Sequence, residues 1–234
     1  MFKLRGPFDA ATELAYEALR DSSLESTEKA SMIHILGEAE MYSGMIESAE
    51  THLKAALALT RAVGDRRLEG RVLCNLGRTH SQQTRLGEAL SCLTMALAIA
   101  REVGDGRFEG IVLNAMGMAH HMQGHVEEAQ SLQEAALAVA RTVGDRRTEG
   151  VTLSNLGILY QNLGCLVESG ALAEAALAIH KEIGNRRSEA IARAEFERRD
   201  GNVAAASVTL EEARAIAAEV KAGPESELAR MLAR

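Results

Sequence analysis

Apolar residues recur along this chain at steps of three and four, the spacing of one face of an α-helix. Residues 85–103 show it most clearly, with Leu86, Leu90, Leu93, Leu97 and Ala100 in one stripe. The segment before it, residues 67–83, places Leu73, Leu76 and His80 on one face. β-Branched residues are scattered rather than alternating, and only two prolines occur, Pro7 and Pro224. The pattern predicts an all-α protein.

The stripes keep a long internal period. Val63-Gly64-Asp65, Val103-Gly104-Asp105, Val143-Gly144-Asp145 and Ile183-Gly184-Asn185 recur every 40 residues. Gly37, Gly77, Gly117 and Gly157, each preceded by Leu or Met, follow the same step. So does an Ala-Leu-Ala-aliphatic run that begins at Ala56, Ala96, Ala136 and Ala176. Each copy divides into two helices about a turn marked by Gly44, Gly124 and Gly164, where the second copy has Thr84. The Gly of Val-Gly-Asp suits the left-handed residue that ends a helix, and the Asp or Asn after it suits the cap of the next. Neither helix can bury its stripe alone, so stacking of copies must supply the missing surface.

The expected organisation is one array over residues 1–234. It comprises a half repeat at 7–20, repeats at 24–63, 64–103, 104–143 and 144–183, a degenerate fifth at 184–221, and a helix or tail at 224–234. Phe8, Leu14, Ala15, Ala18 and Leu19 read as the second helix of a repeat whose first is absent. An exposed apolar flank follows, which fits a segment of a larger protein or a solenoid that pairs at its ends.

Composition narrows the function classes. The net charge of −7 argues against a sequence-independent grip on nucleic acid. No apolar stretch approaches the roughly 20 residues of a membrane span, and the start lacks the apolar core of a secretory signal. Cys74, Cys92 and Cys165 form no C-x-x-C pair, which fits a reduced, cytoplasmic protein. Aromatic residues make up 3% and Trp is absent, so the core rests on Leu, Ala, Ile, Val and Met.

Leu73, Leu76, Gly77 and His80, followed by Ala89, Leu93 and Ala96, resemble the tetratricopeptide repeat. Leu113, Met116, Gly117, His120, Ala129, Gln133 and Ala136 repeat the pattern, as do Leu153, Leu156, Gly157, Tyr160 and Ala176. The long step with Val-Gly-Asp-Arg-Arg looks like the subclass found in LGN/Pins-type adaptors and bacterial multidomain regulators. His80 and His120 depart from it, standing where Tyr is usual. The resemblance implies a right-handed superhelical α-solenoid of stacked antiparallel helix pairs, about 11–12 helices in all. It also implies a non-catalytic scaffold that binds a peptide or protein segment in a concave groove lined by first helices.

Carried over position by position, the groove set in the first copy is Ser31, His34, Glu38, Met41 and Tyr42. The second copy offers Arg71, Cys74, Arg78, Ser81 and Gln82. The third offers Ile111, Asn114, Met118, His121 and Met122, and the fourth Val151, Ser154, Ile158, Gln161 and Asn162. These positions differ between copies while the core positions do not. Arg71 and Arg78 suit a partner carboxylate; Ile111, Met118, Met122 and Ile158 suit apolar side chains; Asn114 and Asn162 suit an extended peptide backbone. The Hsp90/Hsp70-type carboxylate clamp needs groove lysines, and Lys3, Lys29, Lys54, Lys181 and Lys221 fall outside these slots.

Other chemistry finds little footing. His121 and His125 are four apart, but Gly124 interrupts the helix that would align them for a metal. No Gly-Lys pair exists for a phosphate loop, and no G-x-S-x-G or H-E-x-x-H occurs. Catalytic residues, a cofactor and a metal are therefore not expected. The arginines at 66/67, 107, 146/147 and 186/187 alternate with Glu69, Glu109, Glu149 and Glu189, predicting a ladder of exposed ion pairs. Besides a binding scaffold, the pattern allows a regulatory or sensor segment of a kinase, cyclase or ATPase regulator, or a solenoid that self-assembles.

Overall fold

The computed structural model describes residues 23–185, together with Thr12, Ala15, Tyr16, Glu17, Leu19, Arg20, Ser188 and Glu189. The decayed fifth repeat and the C-terminal helix lie outside the described residues, as does most of the half repeat. The described residues are helical with short turns. In chain order the helices are α1 (Ser26–Ser43), α2 (Ile46–Val63), α3 (Arg66–Gln82), α4 (Leu86–Glu102), α5 (Gly106–Met122), α6 (Val126–Val143), α7 (Arg146–Asn162) and α8 (Leu166–Glu182).

The turns form as their residues dictate. Gly64, Gly104, Gly144 and Gly184 end the second helices at φ of +74°, +67°, +71° and +64°. A left-handed backbone of this kind costs little only for glycine. The next residue then caps the following helix. Asp65 accepts from the Leu68 N–H at 3.0 Å, Asp105 from Phe108 at 3.0 Å and Asp145 from Thr148 at 3.2 Å. Asn185 does the same for Ser188 at 3.2 Å. Thr84 takes the left-handed turn position at φ +60° without the freedom of glycine.

Among the described residues two compact units can be told apart, one running to Val103 and one from Gly104. In the first unit α1 pairs with α2 and α3 with α4; α3 also packs on α2 and α1. The second unit repeats the scheme, with α5 paired to α6, α7 to α8, and α7 against α6 and α5.

Close approach within each pair depends on the in-phase glycines. A Cβ on Gly37 would stand 2.8 Å from Leu53 Cγ, and one on Gly77 would stand 2.7 Å from Leu93 Cγ. At Gly117 the obstacle is the Gln133 amide, 2.8 Å away. Ala56, Ala96, Ala136 and Ala176, one turn or more further along the second helices, have no exposed surface. On α4 the buried line is Ala89, Leu93, Ala96 and Ala100, whereas Leu86, Leu90 and Leu97 are half-buried at its margins. The expected leucine stripe is thus corrected. Leu93 and small residues occupy the crossing, and the other leucines cover its flanks.

Candidate protein-binding faces

Each unit presents the first helices of two repeats side by side. In the first unit Asn75 Nδ2 on α3 lies 3.1 Å from His34 Nε2 on α1, within the core. In the second, Asn155 on α7 donates to Asn114 Oδ1 on α5 at 3.3 Å. These two contacts occupy equivalent slots, 80 residues apart in sequence. Both asparagines belong to an Asn-Leu-Gly run, the one signal that would have revealed them.

The first unit does not expose all of its expected groove residues. Met41 is wholly buried, Cys74 nearly so, and His34 is 7% exposed. The reason is crowding: α3 is covered by α1, α2 and α4, leaving only Arg71, Arg78, Ser81 and Gln82 in its strip above the core. Towards α1, Glu40 is also buried, accepting from Ser48 Oγ at 2.7 Å and meeting His52 Nδ1 at 2.7 Å. Burial pushes the Cys74 thiol up to about 11, so it remains a protonated core residue. Burial likewise lowers the pKa of His34; the Glu38 carboxylate opposes this and the Arg71 guanidinium adds to it. What stays accessible is Ser31, Glu38, Tyr42, Arg71, Arg78, Ser81 and Gln82. The Arg78 guanidinium sits 5.2 Å from the Tyr42 ring centroid and donates to its hydroxyl at 2.9 Å. The Gln82 Oε1 atom is buried without a hydrogen-bond partner among the described residues.

In the second unit all ten expected groove residues keep access to solvent: Ile111, Asn114, Met118, His121, Met122, Val151, Ser154, Ile158, Gln161 and Asn162. Asn114 is corrected in role. Its amide donates to Gln133 Oε1 at 3.0 Å and to Thr152 Oγ1 at 2.9 Å. With both N–H groups used internally, it orders the face and has no donor left for a peptide backbone. Asn162 Nδ2 meets His121 Nε2 at 2.9 Å on the surface. Ser154 Oγ lies 3.4 Å from Nε2 of the buried His180, whose Nδ1 has no hydrogen-bond partner among the described residues. Ser154 also donates to the Gly150 carbonyl at 3.2 Å, so it meets the imidazole as a weak acceptor.

The expected ladder of exposed ion pairs is corrected as well. Glu69 is buried and receives Arg61 at 2.8 Å and Arg66 at 2.5 Å, while Arg66 also reaches Glu102 at 2.5 Å. Glu149, Arg141, Arg146 and Glu182 rebuild this cluster in the second unit. Burial raises the Glu69 and Glu149 pKa values, but the paired arginines outweigh it and hold both carboxyls below the ordinary carboxylate range. Arg107 instead bridges to the buried Asp145 at 3.0 Å. These clusters fasten neighbouring repeats, and their arginines are committed to that task. Among the described residues no group of three or more His, Cys, Asp or Glu is arranged to hold a metal ion. No described helix is long and apolar enough to cross a membrane.

Helix pairs at a regular step, glycine crossings and paired first helices define a tetratricopeptide-type fold. The Tetratricopeptide repeat family matches over residues 28–102 and 82–142. This chain is a tetratricopeptide-repeat protein. No curated protein matches it in sequence. Among solved structures it is similar to a Rap protein complexed with competence and sporulation factor, at TM-score 0.82 and 15% identity, over 91% of this chain and 61% of that one. It is also similar to the Rap conjugation gene regulator of plasmid pLS20 in complex with the Phr* peptide, at TM-score 0.78 and 12% identity, over 96% and 67%. A third is a signal transduction ATPase with numerous domains, with a tetratricopeptide repeat sensor, from Pyrococcus horikoshii. There the TM-score is 0.64 and the identity 22%, over 90% of this chain and 36% of that one.

Proposed function

We propose that this protein is a non-catalytic scaffold that binds polypeptide segments on the first-helix faces of its repeats. One observation carries the reading. Side chains at the core positions recur from copy to copy, whereas accessible first-helix positions change chemistry between the first two copies and the last two, from Arg71 and Arg78 to Met118 and Ile158. The apolar members among them, with Ile111 at 37% and Met122 at 45% exposure, sit in water unless something covers them. The pLS20 Rap regulator, solved in complex with the Phr* peptide, gives the same fold a ligand of this class.

A second reading is a sensor segment of a larger regulator. It is favoured by the Pyrococcus horikoshii ATPase, in which the matched repeats form part of a much longer chain. The two readings share a ligand-binding face and differ in what binding controls.

The test is selection of random 12-residue peptides against the immobilised protein, followed by titration of the winners. Arg71→Ala, Ile111→Ala and Met122→Ala each alter an exposed residue and should leave the melting temperature within a few degrees. Together they should weaken the selected peptides by at least roughly tenfold. Undiminished binding by the triple variant contradicts the assignment.

A further inference from the structure

The two units are built on one frame but carry opposite chemistry at matching slots. His34 and Asn75 in the first unit correspond to Asn114 and Asn155 in the second, and each pair links first helices by a hydrogen bond. With the frame so aligned, the charged groove positions of the first unit can be followed 80 residues on. Glu38 becomes Met118, Arg71 becomes Val151 and Arg78 becomes Ile158. Every charge is exchanged for an apolar side chain. All six side chains are half-buried or exposed, so none is there merely to fill the core.

From this exchange we infer that the two faces have different ligand specificities. The first unit takes polypeptide segments bearing carboxylates, and the second takes segments bearing uncharged apolar side chains. The inference deepens the binding reading above and rests on it.

The physical argument is one of complementarity. Two arginines against one glutamate leave the first face net positive in a chain of net charge −7. The arginines that fasten the repeats, Arg61 and Arg66, are paired with Glu69 and Glu102 away from this face. Tyr42 beneath Arg78 orients the guanidinium and preserves its charge. On the second face, Met118, Val151 and Ile158 give an incoming carboxylate no counter-charge and would strip its water, a cost that excludes acidic segments. An apolar segment on the same surface gains from burial, and methionine adapts to varied shapes.

The experiment sequences a random 12-residue peptide library after selection on three proteins. These are the native chain, a first-unit swap (Glu38→Met, Arg71→Val, Arg78→Ile) and a second-unit swap (Met118→Glu, Val151→Arg, Ile158→Arg). Each swap installs residues the same slot already bears in the other unit, and the single changes Arg71→Val and Val151→Arg serve if a triple variant fails to fold. The native protein should enrich an acidic class and an apolar class. The first-unit swap should deplete the acidic class roughly tenfold, and the second-unit swap should deplete the apolar class equally. Salt at 0.5 M should weaken the acidic class alone. Swaps that select the same peptides as the native chain overturn the division while leaving peptide binding intact. Selection of no peptide by the native chain overturns both.

Discussion

Asn75 Nδ2 meets His34 Nε2 across 3.1 Å and joins the first helices of adjacent repeats inside the core. An amide nitrogen can only donate, so with Asn75 Nδ2 facing it Nε2 accepts, and the ring is neutral with its proton on Nδ1.

That requirement predicts acid sensitivity. Burial lowers the pKa of His34 below the ordinary 6.5, and it does the same to His80 and His180. As pH falls through 6.5 the unfolded chain takes up protons before the folded one, so stability is intact above that value and declines below it. Urea midpoints should fall between pH 7 and pH 5. His34→Asn, which copies the second unit's Asn114, should flatten part of that decline; an unchanged slope would refute the role given to His34.

Two equivalent glycines should respond oppositely to alanine. At Gly77 a Cβ meets Leu93 Cγ at 2.7 Å and the Ala89 carbonyl at 3.1 Å, so Gly77→Ala should cost about 1–3 kcal/mol. At Gly157 the nearest atom is the Ser169 carbonyl at 3.5 Å, an ordinary contact. Gly157→Ala should therefore be neutral or stabilising by about 0.5–1 kcal/mol, from helix propensity. Thermal melts of the two variants give the comparison.

Thr84 holds φ +60° at a turn where Gly44, Gly124 and Gly164 stand in the other copies. A left-handed conformation costs a residue with a Cβ about 1–2 kcal/mol, partly offset by the greater freedom glycine has when unfolded. Thr84→Gly should raise stability by about 0.5–1 kcal/mol, measurable as a shift in denaturant midpoint at constant slope.

Glu50 accepts from Arg85 at 2.5 Å and pairs with Lys54 at 2.6 Å. The Arg85 hydrogen bond, against the opposing effect of burial, holds its carboxyl at about 2. Its contribution is complete above the ordinary value of 4.5 and is lost as pH falls towards about 2. Glu50→Gln should cost about 1 kcal/mol at neutral pH, because Arg85 retains Gln83 and His80 as partners. The same variant should blunt acid unfolding below pH 4.5.

The fold was legible because its markers are local and repeated. A glycine needing a left-handed backbone, an Asp beside it and an Ala opposite a Gly each act within one helix pair, and the 40-residue step multiplies the signal. Burial at the face was less legible. Helical phase puts Met41, Cys74 and His34 on the same side as Tyr42 and Arg78, and phase alone does not say how deeply neighbouring helices cover that side. The commitments of Asn114 were hidden for a related reason: its partners lie on two other helices, Gln133 on α6 and Thr152 and Asn155 on α7. Likewise, Glu69 and Glu149 read as surface residues until Arg61 and Arg141 are seen to reach them from the preceding helix.

The central claim, that first-helix faces bind polypeptide, is tested most directly by methyl NMR on the protein titrated with a peptide selected from the random library. Peptides of the apolar class should shift the methyl signals of Ile111, Met118, Met122 and Ile158, while Met45 and Met95, exposed in a turn and on a second helix, stay fixed. Shifts confined to Met45 or Met95 with those four unmoved would place binding elsewhere and contradict the account.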